Sequence, residues 1–171
     1  GIPAVIVMPK ATPFSKVERT SAYGAKIELQ GANLSEAADH AEKLAARDGL
    51  TFVHPYDDPH VIAGQGTLAL EMLEDAPDLD CLVTPIGGGG MASGIAIAAK
   101  ALKPGIEIIG VQARLYPSMA QVLANQPPTS GGDTLAEGIA VKAPGKITRE
   151  IIRKHVSEIL LLDESAIEEI G

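Results

Sequence analysis

The chain has 171 residues, 46% hydrophobic and 21% charged, proportions that exclude disorder, collagen-like repeats and coiled coil. Fourteen Lys and Arg against 22 Asp and Glu leave a net charge of −8, which argues against nucleic acid or an anionic membrane surface as a partner. Three Tyr, two Phe and no Trp demand an aliphatic core, and a single cysteine, Cys81, forbids an internal disulfide and points to a reducing, cytoplasmic setting.

Ile2 to Met8 is a short apolar run closed by Pro9 and reads as a strand buried on both faces. A sequence that opens directly on such a strand is expected to be a segment of a longer chain. Ser15 to Tyr23 reads as a helix ended by Gly24, and Lys26 to Leu29 as a strand. Asn33 and Glu36 have capping-box spacing. Leu34, Ala37, Ala38, Ala41, Leu44 and Ala45 then share one helical face, with Glu36–His40 and Asp39–Lys43 as pairs one turn apart on the other. Thr51 to His54 reads as another strand. Asp58 followed by Pro59 starts a helix whose buried face carries Val61, Ile62, Leu68, Ala69, Met72 and Leu73. Cys81 to Pro85 is a strand, Gly87 to Gly90 a turn, Ala92 to Leu102 a helix and Ile106 to Val111 a strand. That alternation specifies an α/β fold, a parallel sheet flanked by helices. Residues 125 to 147 are loop-rich. Helix Thr148 to His155, strand Glu158 to Leu162 and helix Ser165 to Ile170 follow. Cys81 reads as core, Asp57 and Asp58 as capping groups, and His54 as a structural, hydrogen-bonded histidine. His40, His60 and His155 read as solvated.

Four consecutive glycines, Gly87 to Gly90, follow a strand and open a helix. Glycine lets backbone amides converge on one point without a Cβ in the way, and a helix start adds partial positive charge. A phosphate group is the natural occupant; a permissive tight turn is the alternative. No Lys follows, so the loop is not a Walker loop. Gly87, Gly89 and Ala92 match a dinucleotide fingerprint, with Glu107 at the acidic spacing. The ribose-binding acid belongs at the exit of the next strand, though, and Gln112 stands there, which disfavours a nicotinamide-dependent oxidoreductase.

Several stretches together resemble the pyridoxal-phosphate-dependent threonine and serine ammonia-lyases (dehydratases). These are Met8-Pro9-Lys10-Ala11-Thr12-Pro13 with Lys16, His54 to Pro59 running into Val61 to Thr67, the glycine loop, and Leu135 to Val141. The resemblance implies a tryptophan-synthase-β-like fold (pyridoxal-phosphate fold type II) with two α/β lobes. Residues 1–57 would belong to the smaller lobe and 58–171 to the larger. It implies that Gly87, Gly88, Gly89, Gly90 and the Met91 amide cradle the phosphate of pyridoxal 5'-phosphate, with Glu137 and Gly138 beside its ring. Phosphate or sulfate alone would occupy the same cradle. The implied parent reaction takes L-threonine to 2-oxobutyrate and ammonia.

In that family the Schiff-base lysine and the substrate-carboxylate loop lie upstream of Gly1, and the partner of the pyridine nitrogen lies beyond Gly171. No catalytic residue is therefore carried over, and the isolated chain is expected not to turn over. Lys10, Lys16 and Lys142 read as surface lysines. Gln112, Tyr116 and Ser118 stand where metal-activated relatives such as serine racemase carry acidic groups, so no metal site is carried over. Open sheet faces and edges are expected to drive homo-oligomerisation. A non-catalytic phosphate-binding or assembly module derived from the same fold is the competing reading.

Overall fold

The computed structural model describes residues 2–170, Ile170 by its backbone only, so that Gly1 and Gly171, the outer bounds of the two expected lobes, lie outside the described residues. The chain divides into two compact units, Gly1–His54 and Pro55–Gly171.

In the first unit β1 (Val5–Met8) pairs in parallel with β2 (Lys26–Leu29), Val5 opposite Lys26 and Met8 opposite Leu29. α1 (Phe14–Ala22) connects them, and α2 (Leu34–Asp48) follows. Asn33 holds extended backbone, and its Oδ1 accepts the Glu36 N–H at 3.1 Å. The reciprocal bond lands one residue early, the Ala32 N–H donating to Glu36 Oε2 at 2.8 Å. Gly49, at φ 66°, closes the helix in the left-handed conformation that favours glycine. Ala37, Leu44 and Ala45 are buried as the period requires, whereas Leu34 is exposed.

Three expectations fail in this unit. Ile2, Pro3 and Ala4 are not strand, and Val5 to Met8 are only half-buried, because β1 belongs to a two-stranded sheet rather than the middle of a large one. Thr51 to His54 has strand composition but finds no ladder among the described residues, and Phe52 meets His54 edge-on at 6.1 Å. His40 pairs with Glu28 of β2 at 3.2 Å instead of with Glu36, whose oxygens are committed to Ala32 and Asn33.

The second unit carries a parallel three-stranded sheet in the order β3–β4–β5: Cys81–Pro85, Glu107–Ala113 and Glu158–Leu162. Cys81 lies opposite Glu107, and Val111 opposite Leu160. α3 (Pro59–Gln65), α4 (Thr67–Asp75) and α5 (Gly90–Leu102) lie between the unit's start and β4 in sequence; α6 (Ser118–Leu123), α7 (Lys146–His155) and α8 (Glu164–Ile170) follow. The core is aliphatic, as composition demands: Ala69, Leu73, Leu82, Ile95, Ala96, Ala99, Ile106 and Ile108 cluster together. Cys81 is half-buried rather than core.

The helix expected from Pro59 to beyond Leu73 is two helices, broken at Gly66. A Cβ on Gly66 would lie 3.1 Å from the Gly94 carbonyl oxygen, and one on Gly94 only 2.3 Å from that of Ile62. The two backbones touch here, and only glycine permits it. The break turns Leu68 and Met72 outward while Ile62, Ala69 and Leu73 stay buried. α6 forms where the sequence carries no strong helical period. No helix among the described residues is long and apolar enough to cross a membrane.

Candidate functional site

The glycine loop leaves β3 at Ile86 and enters α5 at Gly90. Gly89 caps the helix at φ 97°, a conformation costly for any residue with a Cβ. Among the described residues, no acceptor receives any backbone N–H from Gly87 to Ala92; the first helical bond runs from the Ser93 N–H to the Gly89 carbonyl at 2.9 Å. Gly88, Gly89, Gly90 and Ala92 are buried. Backbone N–H groups without protein acceptors are rare in such surroundings, so a run of them at a helix start is a set of donors suited to an anion.

The Cβ side of the same loop is closed by protein. A Cβ on Gly88 would fall 2.3 Å from the Tyr56 ring; on Gly90, 2.8 Å from the Tyr56 carbonyl oxygen; on Gly89, within 2.9 Å of Met119, Ile152 and Thr148. The tetraglycine run therefore has two jobs: it frees the donors, and it lets side chains press directly on the backbone from behind. A Cβ on Gly87 would lie 3.1 Å from Ile139 Cα and from Val141 Cγ2 in the same way. This brings the segment that follows Glu137 and Gly138 to the loop. Glu137 and Gly138 themselves start an exposed single-turn 3-10 helix, Glu137–Ile139, and a Cβ on Gly138 would meet nothing within 4 Å.

Two aspartates do what their sequence position suggests, but on different helices. Asp58 caps α3, its carboxylate accepting from the N–H groups of His60 (2.7 Å) and Val61 (3.2 Å); those bonds hold its carboxyl below the usual carboxylate range. Asp57 reaches across the unit to cap α7, accepting from Lys146 (2.8 Å), Ile147 (2.9 Å) and Thr148 (3.2 Å). Gly145 makes room for it, since a Cβ there would lie 2.2 Å from Asp57 Oδ1. Immediately before them, in the strap 55–58, the Tyr56 hydroxyl donates to the Ala143 carbonyl at 3.0 Å, and burial with the Asp57 charge pushes the phenol pKa up.

Behind the loop lie two further buried polar side chains that the sequence did not mark as functional. Thr148 donates its hydroxyl to the Gly88 carbonyl at 2.7 Å. Gln112, fully buried near the exit of β4, donates to the carbonyls of Ile86 (3.2 Å) and Tyr116 (3.3 Å) and accepts the Ala120 N–H (2.9 Å). Gln112, Tyr116 and Ser118 are all engaged with backbone: Gln112 as described, Tyr116 Oη donating to the Gly132 carbonyl at 2.7 Å and Ser118 Oγ to the Val141 carbonyl at 2.7 Å. Only Gln112 carries a signal in the sequence, its placement as a polar residue one step inside an otherwise apolar strand end.

A family model described as pyridoxal-phosphate dependent enzyme matches residues 1–170. The chain is 46% identical over 169 residues to an L-threonine ammonia-lyase of Thermotoga maritima, covering 98% of this chain and 42% of that protein. It is 44% identical over 170 residues to a catabolic L-threonine dehydratase of Staphylococcus aureus, covering 98% and 49%. The chain thus spans a little under half the length of these relatives. Among solved structures, maize serine racemase superposes with a TM-score of 0.89 at 34% identity, over 99% of this chain and 52% of that one. The processed threonine deaminase isoform 2 of Solanum lycopersicum gives 0.84 at 35% identity, over 94% and 45%.

Proposed function

Because this chain belongs to the pyridoxal-phosphate-dependent enzyme family and has its type II fold, we propose that it is the central portion of a cytoplasmic threonine or serine ammonia-lyase. In this reading the N–H groups of Gly87, Gly88, Gly89, Gly90 and Met91 hold the cofactor phosphate, and Glu137 and Gly138 stand beside its ring. The observation that carries the reading is the run of N–H groups from Gly87 to Ala92 without protein acceptors, at the start of α5. A phosphate monoester fits: it offers several acceptor oxygens and negative charge where the helix start is partially positive. No Lys or Arg stands in the loop, so neutral donors and the helix dipole supply the attraction.

When bound, pyridoxal phosphate supplies an electron sink that stabilises negative charge at the substrate α-carbon. This chain's own contribution is binding and orientation. The loop anchors the phosphate end, and the helix behind it, locked by Tyr56 and Asp57, keeps the donors from turning inward. The 171 residues by themselves hold the phosphate without converting threonine, since none of their lysines matches the family's Schiff-base position. Self-association is proposed on the side chains of one sheet face, where Val83 is 62% and Leu160 42% exposed.

The test is a phosphate titration followed by amide NMR, with a parallel assay for 2-oxobutyrate from L-threonine in added cofactor. Phosphate shifts confined to residues 87–92 and no turnover are expected. Shifts mapping to other surfaces would defeat the cradle. Gly88→Asp, an obvious probe from sequence, is a poor one, because its Cβ would strike Tyr56 rather than the anion.

A further inference from the structure

In a planar trans peptide the N–H of one residue points opposite to the carbonyl of the residue before it. Whatever grips that carbonyl therefore aims the N–H. Around the glycine loop three carbonyls are gripped. Ile86 O accepts from Gln112 Nε2, Gly88 O from Thr148 Oγ1 and from the Gly145 N–H at 3.2 Å, and Gly89 O from the Ser93 N–H. The N–H groups set in this way are those of Gly87, Gly89 and Gly90.

The Ser93 bond is ordinary helix. The other two carbonyls are each gripped by a side chain with no exposure to solvent that is itself held by further bonds, Gly88 O with the Gly145 N–H as a longer second donor. Gln112 is a brace: the same amide also holds Tyr116 O and, through Oε1, the Ala120 N–H. Thr148 is held through its own N–H by Asp57 and through its carbonyl by Ser93 Oγ at 3.4 Å. We propose that Gln112 and Thr148 are positioning residues for a tetrahedral dianion, aiming the Gly87 and Gly89 N–H groups at one point. Neither touches the anion. The proposal rests on the phosphate-cradle reading and adds what makes glycine, the most pliable residue, hold a fixed direction. With no cation in the loop, affinity depends on donor direction, and a peptide rotated away forfeits a charge-assisted bond.

The experiment uses the 171-residue chain and sulfate, whose charge does not change near neutrality. Thr148→Val removes the hydroxyl at nearly constant shape and is expected to weaken sulfate binding by about tenfold, the loss of one bond to a charged group. Thr148→Ser keeps the hydroxyl and should bind within about twofold of wild type. Gln112→Glu should weaken binding by about tenfold near pH 8 and recover as pH falls toward 5, because burial raises the introduced carboxyl above the ordinary Glu value and it regains a proton to donate to Ile86 O. Wild-type affinity should stay level across that range. A merely structural role would lower the melting temperature of the variants and leave the affinity of the folded protein unmoved.

The wild type offers a reading that needs no variant: sulfate should shift the Gln112 side-chain NH2 resonances although it does not contact them. Sulfate that binds the loop without moving those resonances, or with unchanged affinity in folded Thr148→Val and Gln112→Glu, overturns the positioning roles. Sulfate that fails to bind the wild-type loop overturns the cradle reading beneath them.

Discussion

Helix α2 in the first unit is capped by Asn33, the residue immediately before it, with Glu36 closing the box from the first turn. Helix α7 in the second unit begins at Lys146 after a glycine with no capping side chain, and its first N–H groups are satisfied by Asp57, 89 positions earlier. Both starts meet the same requirement, that orphan donors find acceptors. The first answer survives wherever the segment goes. The second exists only when the strap 55–58 is seated. Because Thr148 belongs to that helix start and grips Gly88, the seating of the strap and the shape of the glycine loop form one cooperative assembly. In the first unit the half-buried His40–Glu28 pair ties α2 to β2, while Lys26–Glu28 and Arg47–Asp48 lie at the surface.

Gly89→Ala should do the most damage to the second assembly. It combines φ 97° with Cβ contacts at or below 2.9 Å from three packed side chains. A loss of about 3 kcal/mol or more is expected in urea unfolding, from strain and overpacking together. An unchanged midpoint would mean the loop is not under the constraint described. The contrast between the two helix starts sharpens with Asp57→Ala, expected to cost about 2 kcal/mol and to loosen amide protection across 145–148, against Asn33→Ala at about 1 kcal/mol with effects confined to the first unit. A reversed order would break the comparison, showing that the distant cap is dispensable. The smallest effect is a pH dependence. Asp58 has its carboxyl lowered by the Val61 and His60 N–H groups, so its contribution is fully present above the ordinary carboxylate pKa. It is lost as pH falls through the lower folded value. Asp58→Asn should flatten that acid-side decline, and an identical acid limb in the variant would remove Asp58 as its source.

Much of this was legible in the chain. The bounds of β2, β3 and β5 coincide with those read from the sequence, the Asn33 cap follows from its spacing, and the glycine loop declares itself between a strand and a helix. Elements failed where the deciding neighbour is remote. Thr51 to His54 has the residues of a strand and no ladder among the described residues. The helix after Pro59 has a continuous period, yet breaks at Gly66 where α5 crosses it. Residues 112–124 carry no strong period, and α6 forms there with Gln112 receiving its Ala120 N–H.

The sequence by itself determined the alternation of strands and helices, the aliphatic core, the local caps and the presence of a pliable glycine run, because each depends on residues within a few positions of one another. Only the tertiary structure decided why four glycines are needed. Tyr56, Met119, Thr148 and Ile152 come from segments scattered over nearly 100 residues and press on that backbone from behind, while Gln112 and Thr148 grip its carbonyls. A close approach between distant segments leaves no spacing pattern in the chain, since it is set by packing, and the donors left facing outward are its consequence.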